Sequence, residues 1–313
     1  MDFKEARIAT HNNWPNRVYF KAEEIFRDRL AKNNGKVPFK TIVLGSDSDH
    51  EYQKFIGHLI DGLEALPYRP DYLFDHCFRI IDCGADQLFP PKKGIKGIVQ
   101  GLDSLLLKIA RHDWEMITDA LCNQMPLHTR QFIVKRMCSA YFGTDDNSVL
   151  LKARIIDCVG KTFYEEFIDK FSRDGKGGPA PIPSEVNFTK ATSLLKLYLS
   201  GKAGTRNKKA THPSLDLTKA GNLPSVNKRI EFILSILLFT MRNERAHGEV
   251  LSPFRTSKAS INRYESYYFS MLAAYIFALG VLQLRNMGGV NGASILQCCQ
   301  DNLNLQKTFF SAT

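Results

Sequence analysis

Ile230-Glu231-Phe232-Ile233-Leu234-Ser235-Ile236-Leu237-Leu238-Phe239 carries one charge in ten residues, and after Thr240 and Met241 the chain turns to Arg242-Asn243-Glu244-Arg245-Ala246-His247-Gly248. With Pro224-Ser225 as its start, the run is expected to be a helix through about Arg242 that leaves an apolar core and ends in polar groups. A second long helix is expected after Pro253, with Ser257 or Ser260 as its N-cap, running to about Leu284. Its Ile261, Tyr264, Tyr268, Met271, Tyr275, Leu279 and Leu282 recur at steps of three and four and make one long buried stripe. The connection between the two helices carries the Arg-to-His segment and Gly248.

Working outward, helical periodicity dominates. Phe20, Ile25, Phe26 and Leu30 define a helix over 19–32 that stops at Asn33-Asn34-Gly35. Thr41-Ile42-Val43-Leu44 is the one convincing β run, and Gly45-Ser46-Asp47-Ser48-Asp49 after it offers N-caps for a helix through Ile60. Further helices are expected near 71–83, 97–110, 114–122, 128–141, 148–171 and 185–199. A loop rich in glycine and proline covers 172–183, and 201–210 is a basic stretch with four cations and no acid. No repeat at a fixed period is visible. The fold class expected is mainly α: an N-terminal helical region over 1–144 with at most one short strand, and a helical bundle over 145–313.

The 313 residues are ample for a sizeable core, and 44% apolar with 24% charged residues is ordinary globular composition. A net charge of +10 with a pI near 9.2 favours a polyanionic partner, nucleic acid before an anionic membrane. Seven cysteines, scattered and without a CxxC pair, point to reduced thiols rather than a disulfide framework, and no zinc-type spacing appears. The N-terminus lacks the order of a signal peptide, so a cytoplasmic protein is expected. Residues 266–284 are uncharged over nearly a membrane's thickness, but their tyrosines, serines and Gln283 suit a buried core or dimer helix better.

The chemistry is concentrated in the polar end of the first long helix. Arginine can hold a phosphate with a planar fork of donors, and histidine can exchange a proton near neutrality. On a regular helix Arg242 and His247 would lie about 140° apart, whereas Asn243 and His247 would share a face. Either the helix breaks near Gly248 and swings the imidazole round, or a second copy supplies opposing groups across a twofold axis.

Arg-Asn-x-x-x-His-Gly at the end of a long apolar helix, with a second long helix following, resembles the HEPN superfamily of higher eukaryote and prokaryote nucleotide-binding domains. Its signature is arginine, four to six residues, then histidine, with a polar residue often after the arginine; Arg242, Asn243 and His247 match it. The resemblance covers about 145–313, and residues 1–144 carry none. It implies an all-helical domain that dimerises and a metal-independent endoribonuclease using the 2′-hydroxyl of RNA as nucleophile. It implies His247 as general acid or base, Arg242 as phosphate holder, and Asn243 as orienting residue or donor to substrate. Many such proteins are toxins or anti-phage effectors with a neutralising partner. The tyrosine found two residues after the histidine in toxins controlled by adenylylation is Glu249 here.

Lys202, Arg206, Lys208, Lys209 and Arg245 are the expected RNA-binding cations, although a short charge run also suits a plain solvated surface. No cofactor or metal is assigned. Asp47, Asp49, His50 and Glu51 could be read as a metal cluster, but acids at a helix start are what the helix dipole favours. Asp71 and His76 near Arg79 are secondary catalytic candidates. Tyr264, Tyr267, Tyr268 and Phe269 could stack on bases but at helical spacing suit a core. The alternative reading is a non-catalytic RNA-binding or protein-interaction module that dimerises through the same helices. In the plainest reading, Arg242 and His247 only complement a helix C-terminus.

Overall fold

A computed structural model describes residues 2–16, 18–89, 98, 101–204, 211–248 and 252–311. The fold is mainly α. Among the described residues there is no sheet, only an isolated bridge between Arg173 and Pro179. The chain divides into two compact units, residues 1–84 with 241–313 and residues 85–240. The boundary expected at 144/145 falls inside the second of these units, and the first is formed from both ends of the chain. Residues 145–313 are drawn from both units.

In the first unit the helices are α1 (Phe3–Asn12), α2 (Lys21–Lys32), α3 (His50–Glu64) and the start of α4 (Pro70–Leu88). The later part of the chain adds most of α11 (Phe239–Ala246), then α12 (Ile261–Leu284) and α13 (Gly292–Ser311). The last of these was not anticipated from sequence. Helix α12 is the spine, with Tyr264, Tyr268, Met271, Leu279 and Leu282 all buried. Phe26 of α2 stacks on Tyr264 at 4.3 Å, and Phe254 stacks on the same ring at 4.0 Å. These aromatics are spent on the core, so base stacking by Tyr264, Tyr268 or Phe269 is ruled out. By length and composition α12 could cross a membrane, but 83% of its apolar window is buried inside the protein.

The expected strand over 41–44 is not one. It is an extended strap with no partner strand among the described residues. Ile42 N–H donates to the Tyr275 hydroxyl at 3.1 Å, and Asn302 of α13 accepts from Lys40 N–H at 2.7 Å while donating to the Lys40 carbonyl at 2.8 Å. Side chains of two helices thus take the place of a neighbouring strand, and Val43 is 93% exposed. The β-branched composition predicts extended backbone but cannot say what will satisfy it. Asp49 caps α3 by accepting from Tyr52 N–H at 2.9 Å.

Helices α3 and α4 approach closely because Gly62 has no side chain. A Cβ there would stand 2.6 Å from Leu73 Cδ1 and 2.9 Å from Leu73 Cα. We expect Gly62→Ala to destabilise by roughly 1–2 kcal/mol, the overpacking cost exceeding alanine's better helix propensity, as read from a thermal melt.

The second unit holds the end of α4, then α5 (Leu102–Gln124), α6 (Leu127–Phe142), α7 (Asp146–Val159), α8 (Lys161–Phe171), α9 (Glu185–Ser200) and α10 (Val226–Glu231). The gap expected between 97–110 and 114–122 becomes a kink inside α5, whereas the single helix expected over 148–171 is split into α7 and α8. Ala110 leaves helical geometry at φ −151°, ψ 61°, and Gly160 at φ +86° separates α7 from α8. Trp114, Ile117 and Leu121 of α5 are fully buried. Asp119 pairs with Arg229 of α10. The glycine-rich loop after α8 is organised by Asp174, whose Oδ1 accepts from Lys176 and Gly178 N–H, each at 2.8 Å.

The apolar run from Ile230 to Phe239 is helical but not regular. Between α10 and α11, Phe232–Leu238 widens into π-helical turns whose residues are all buried. Arg154 of α7 donates to the Ser235 carbonyl at 2.5 Å and lies over the Phe239 ring. Burial pushes its guanidinium down to about 10. The unit boundary falls after Thr240, inside α11.

Candidate functional site

Helix α11 ends at Ala246, and His247 lies in the turn that follows, with its N–H still bonded to the Asn243 carbonyl at 3.0 Å. Gly248 takes φ +67°, the left-handed conformation that glycine adopts without penalty at a helix end. The helix therefore runs four residues past the end expected near Arg242 and breaks before Gly248, and His247 is exposed. Arg242, five residues earlier, is 36% exposed. Its Nη1 donates to Asn243 Oδ1 at 3.1 Å, and its Nη2 lies 3.5 Å from Asp82 Oδ2. Asn243 thus engages Arg242, and its backbone carbonyl, not its amide, touches His247.

Arg245 is built differently from the expectation that it binds RNA. It lies one turn from Arg242, on the face turned to α4. Its Nε donates to Asp75 Oδ1 at 2.8 Å, its Nη2 to Asp75 Oδ2 at 2.5 Å, and its Nη1 sits 3.0 Å from Asp71 Oδ2. Only 12% of the side chain is exposed. Burial alone would lower its pKa, but the Asp75 hydrogen bonds and the charges of Asp71 and Asp75 outweigh this and raise it. Tyr267 beside it is pushed up to about 12 by burial, against the pull of the guanidinium. A cation held this way is an internal tie, so its assignment to RNA is withdrawn. Glu249, four residues after Arg245, lies outside the described residues.

The acids that receive these arginines share one stripe of α4, at positions 71, 75 and 82. Asp71 is 0% exposed and also holds Arg69, which donates Nε to Oδ1 at 2.9 Å and Nη2 to Oδ2 at 2.7 Å. Asp71 is therefore a structural anion between two guanidiniums, which corrects its candidacy as a catalytic carboxylate. His76, five residues on, points away from that stripe.

Of the basic stretch, Lys202 is exposed and belongs to the second unit, just after the αL cap at Gly201. Arg206, Lys208 and Lys209 lie outside the described residues. The acids at the start of α3 do not converge on a point. Asp49 caps the helix, Asp47 accepts from Asp49 N–H at 2.9 Å, and Glu51 pairs with Arg285. The structure instead groups His58 and Asp61 of α3 with His76 of α4, their ligand atoms within 4.8 Å of one another. The His58 imidazole is held below its usual pKa, first by burial and then by the charges of His76 and Arg79. Sequence reasoning missed this trio because its members come from two helices, which pack closely at Gly62.

No protein-family model, no curated protein and no solved structure matches this chain.

Proposed function

We propose that the chain is a metal-independent endoribonuclease of HEPN type, with Arg242, Asn243 and His247 as its site. The observation that carries this reading is the helix end itself. The helix stops at Ala246, so His247 stands exposed in the following turn while Arg242 remains half-exposed on the last turn. In this mechanism the RNA 2′-oxygen attacks phosphorus and the P–O5′ bond breaks. One imidazole takes the 2′-hydroxyl proton, and a second, protonated imidazole gives a proton to the departing 5′-oxygen. Arg242 holds the phosphate and meets the charge that builds on it. Two histidines imply a homodimer with the cleft between copies. Asn243 fixes the guanidinium through its Oδ1. The net charge and Lys202 draw in the polyanion, so binding weakens as salt rises. Such an enzyme would act in the cytoplasm as a toxin or an anti-phage effector, with a neutralising partner.

The test is incubation of the wild type and the His247→Ala variant with mixed RNA in excess EDTA, followed by end-group analysis. Cleavage by wild type alone, leaving 2′,3′-cyclic phosphates and 5′-hydroxyls, supports the reading. Cleavage by neither overturns it.

Asp82 competes with a phosphate for Arg242. We expect Asp82→Asn to tighten RNA binding about threefold at low salt by removing one like charge from the phosphate site, as measured by fluorescence anisotropy. Weaker binding would mean that Asp82 positions the arginine.

A second reading, a non-catalytic module, is favoured by the ion pairs that tie α11 to α4. In it Arg242 and Arg245 serve the fold and His247 only decorates a helix end. It expects RNA binding without cleavage.

A further inference from the structure

We propose that His58, Asp61 and His76 form a binding site for one zinc-type divalent cation, with three protein ligands and a position left for water. His58 and Asp61 are three residues apart on α3 and so share a face. His76 reaches the same place from α4, because Gly62 lets that helix come close; a Cβ on Gly62 would stand 3.2 Å from His76 Cβ. The three ligand atoms lie within 4.8 Å of one another. Tetrahedral zinc with Zn–N bonds of ~2.0–2.1 Å needs ligand separations of about 3.4 Å, a contraction that rotation of these side chains supplies. The His58 and His76 rings face each other with centroids 5.5 Å apart, and Asp61 is exposed.

An independent observation points the same way. His76 Nδ1 is buried and has no hydrogen-bond partner. Buried ring nitrogens are ordinarily satisfied, and metal-bound imidazoles are oriented through both of theirs. The donor set selects the metal class: two imidazoles and one carboxylate suit zinc, cobalt or nickel, whereas magnesium and calcium prefer all-oxygen shells. Lys54 and Arg79 also act on this cluster electrostatically. Their charge works against a cation, and the Asp61 carboxylate opposes it. The site is separate from Arg242 and His247 in chemistry and does not depend on the ribonuclease reading.

The experiment uses the full chain, stripped with chelator and dialysed. It is titrated with zinc chloride in a calorimeter and with cobalt chloride by visible absorption. One equivalent of zinc should bind, with a rise in melting temperature and cobalt bands of tetrahedral intensity. His58→Ala and His76→Ala should each weaken zinc about a hundredfold or more and abolish the melting shift, while circular dichroism stays unchanged. His50→Ala, at the exposed start of the same helix, should bind as the wild type does. Arg79→Gln should bind several-fold more tightly, a gain that a merely destabilised protein would not give. The proposal is overturned if the wild type binds no zinc, or if both histidine variants keep its stoichiometry and affinity. Because metal uptake is read directly, an inactive His247 site would leave this result untouched.

Discussion

Asp71→Ala is expected to cost roughly 3–5 kcal/mol of folding stability, the range for removing one partner of a buried ion pair. The carboxylate is 0% exposed and lies between Arg69, which grips it with two hydrogen bonds, and Arg245, 3.0 Å away. Alanine leaves Arg69 without its carboxylate partner and Arg245 with Asp75 alone, both largely shielded from water. The loss is the desolvation of those cations more than the attraction itself. Replacing Asp71 with leucine together with Arg69→Met should therefore recover much of the deficit, because two apolar groups need no compensation. Guanidinium denaturation of the single and double variants checks this. A loss below ~1 kcal/mol for Asp71→Ala would mean that water reaches the cluster and screens it. The same network holds α11 against α4, so Asp71→Ala should also lower any activity at Arg242. That loss would follow the unfolding midpoint, unlike one caused by removing a reacting group.

The regular parts of this fold were readable from residue spacing, and the ties between them were not. The stripe from Ile261 to Leu282 and the stop at Asn33-Asn34-Gly35 are local signals, and both appear where expected: Asn34 and Gly35 take φ +55° and +72°. Asp49 was legible as a cap for the same reason. The segment 41–44 shows the limit. Its composition marks extended backbone, but its partners, Tyr275 and Asn302, lie more than 230 residues away in sequence. Arg245 failed as an RNA contact for a related reason. Charge and position on a helix end were visible, while Asp75, 170 residues earlier, was not. The helix end at Ala246 lies beyond the one expected near Arg242, because the polar residues after Met241 looked like an exit from the helix while Gly248 sets the actual stop. The His58, Asp61 and His76 trio was not legible, since it depends on how closely α3 and α4 pack at Gly62.

His247→Ala should reduce RNA cleavage by about 10²–10⁴-fold, the usual range for losing a general acid or base, while stability changes by less than ~0.5 kcal/mol. Its side chain is exposed and follows the last turn of α11, so little packing is lost. That contrast separates it from Asp71→Ala, where stability and activity fall together. Arg242→Ala should lower both turnover and RNA affinity, because the guanidinium meets phosphate in the ground state and in the transition state. Mixing the two inactive proteins distinguishes one chain from two. In a cleft shared by two copies, a mixed dimer holds one Arg242 from one copy and one His247 from the other, a pair neither variant has alone, and cleavage returns to a small but measurable fraction of wild type. If each copy completes its own site, the mixture stays inactive, since every site lacks one group. Recovery on mixing would also answer the geometric difficulty posed by the sequence: Arg242 and His247 are five residues apart, and the turn at Gly248 need not bring the two onto one face if a second copy brings the partner.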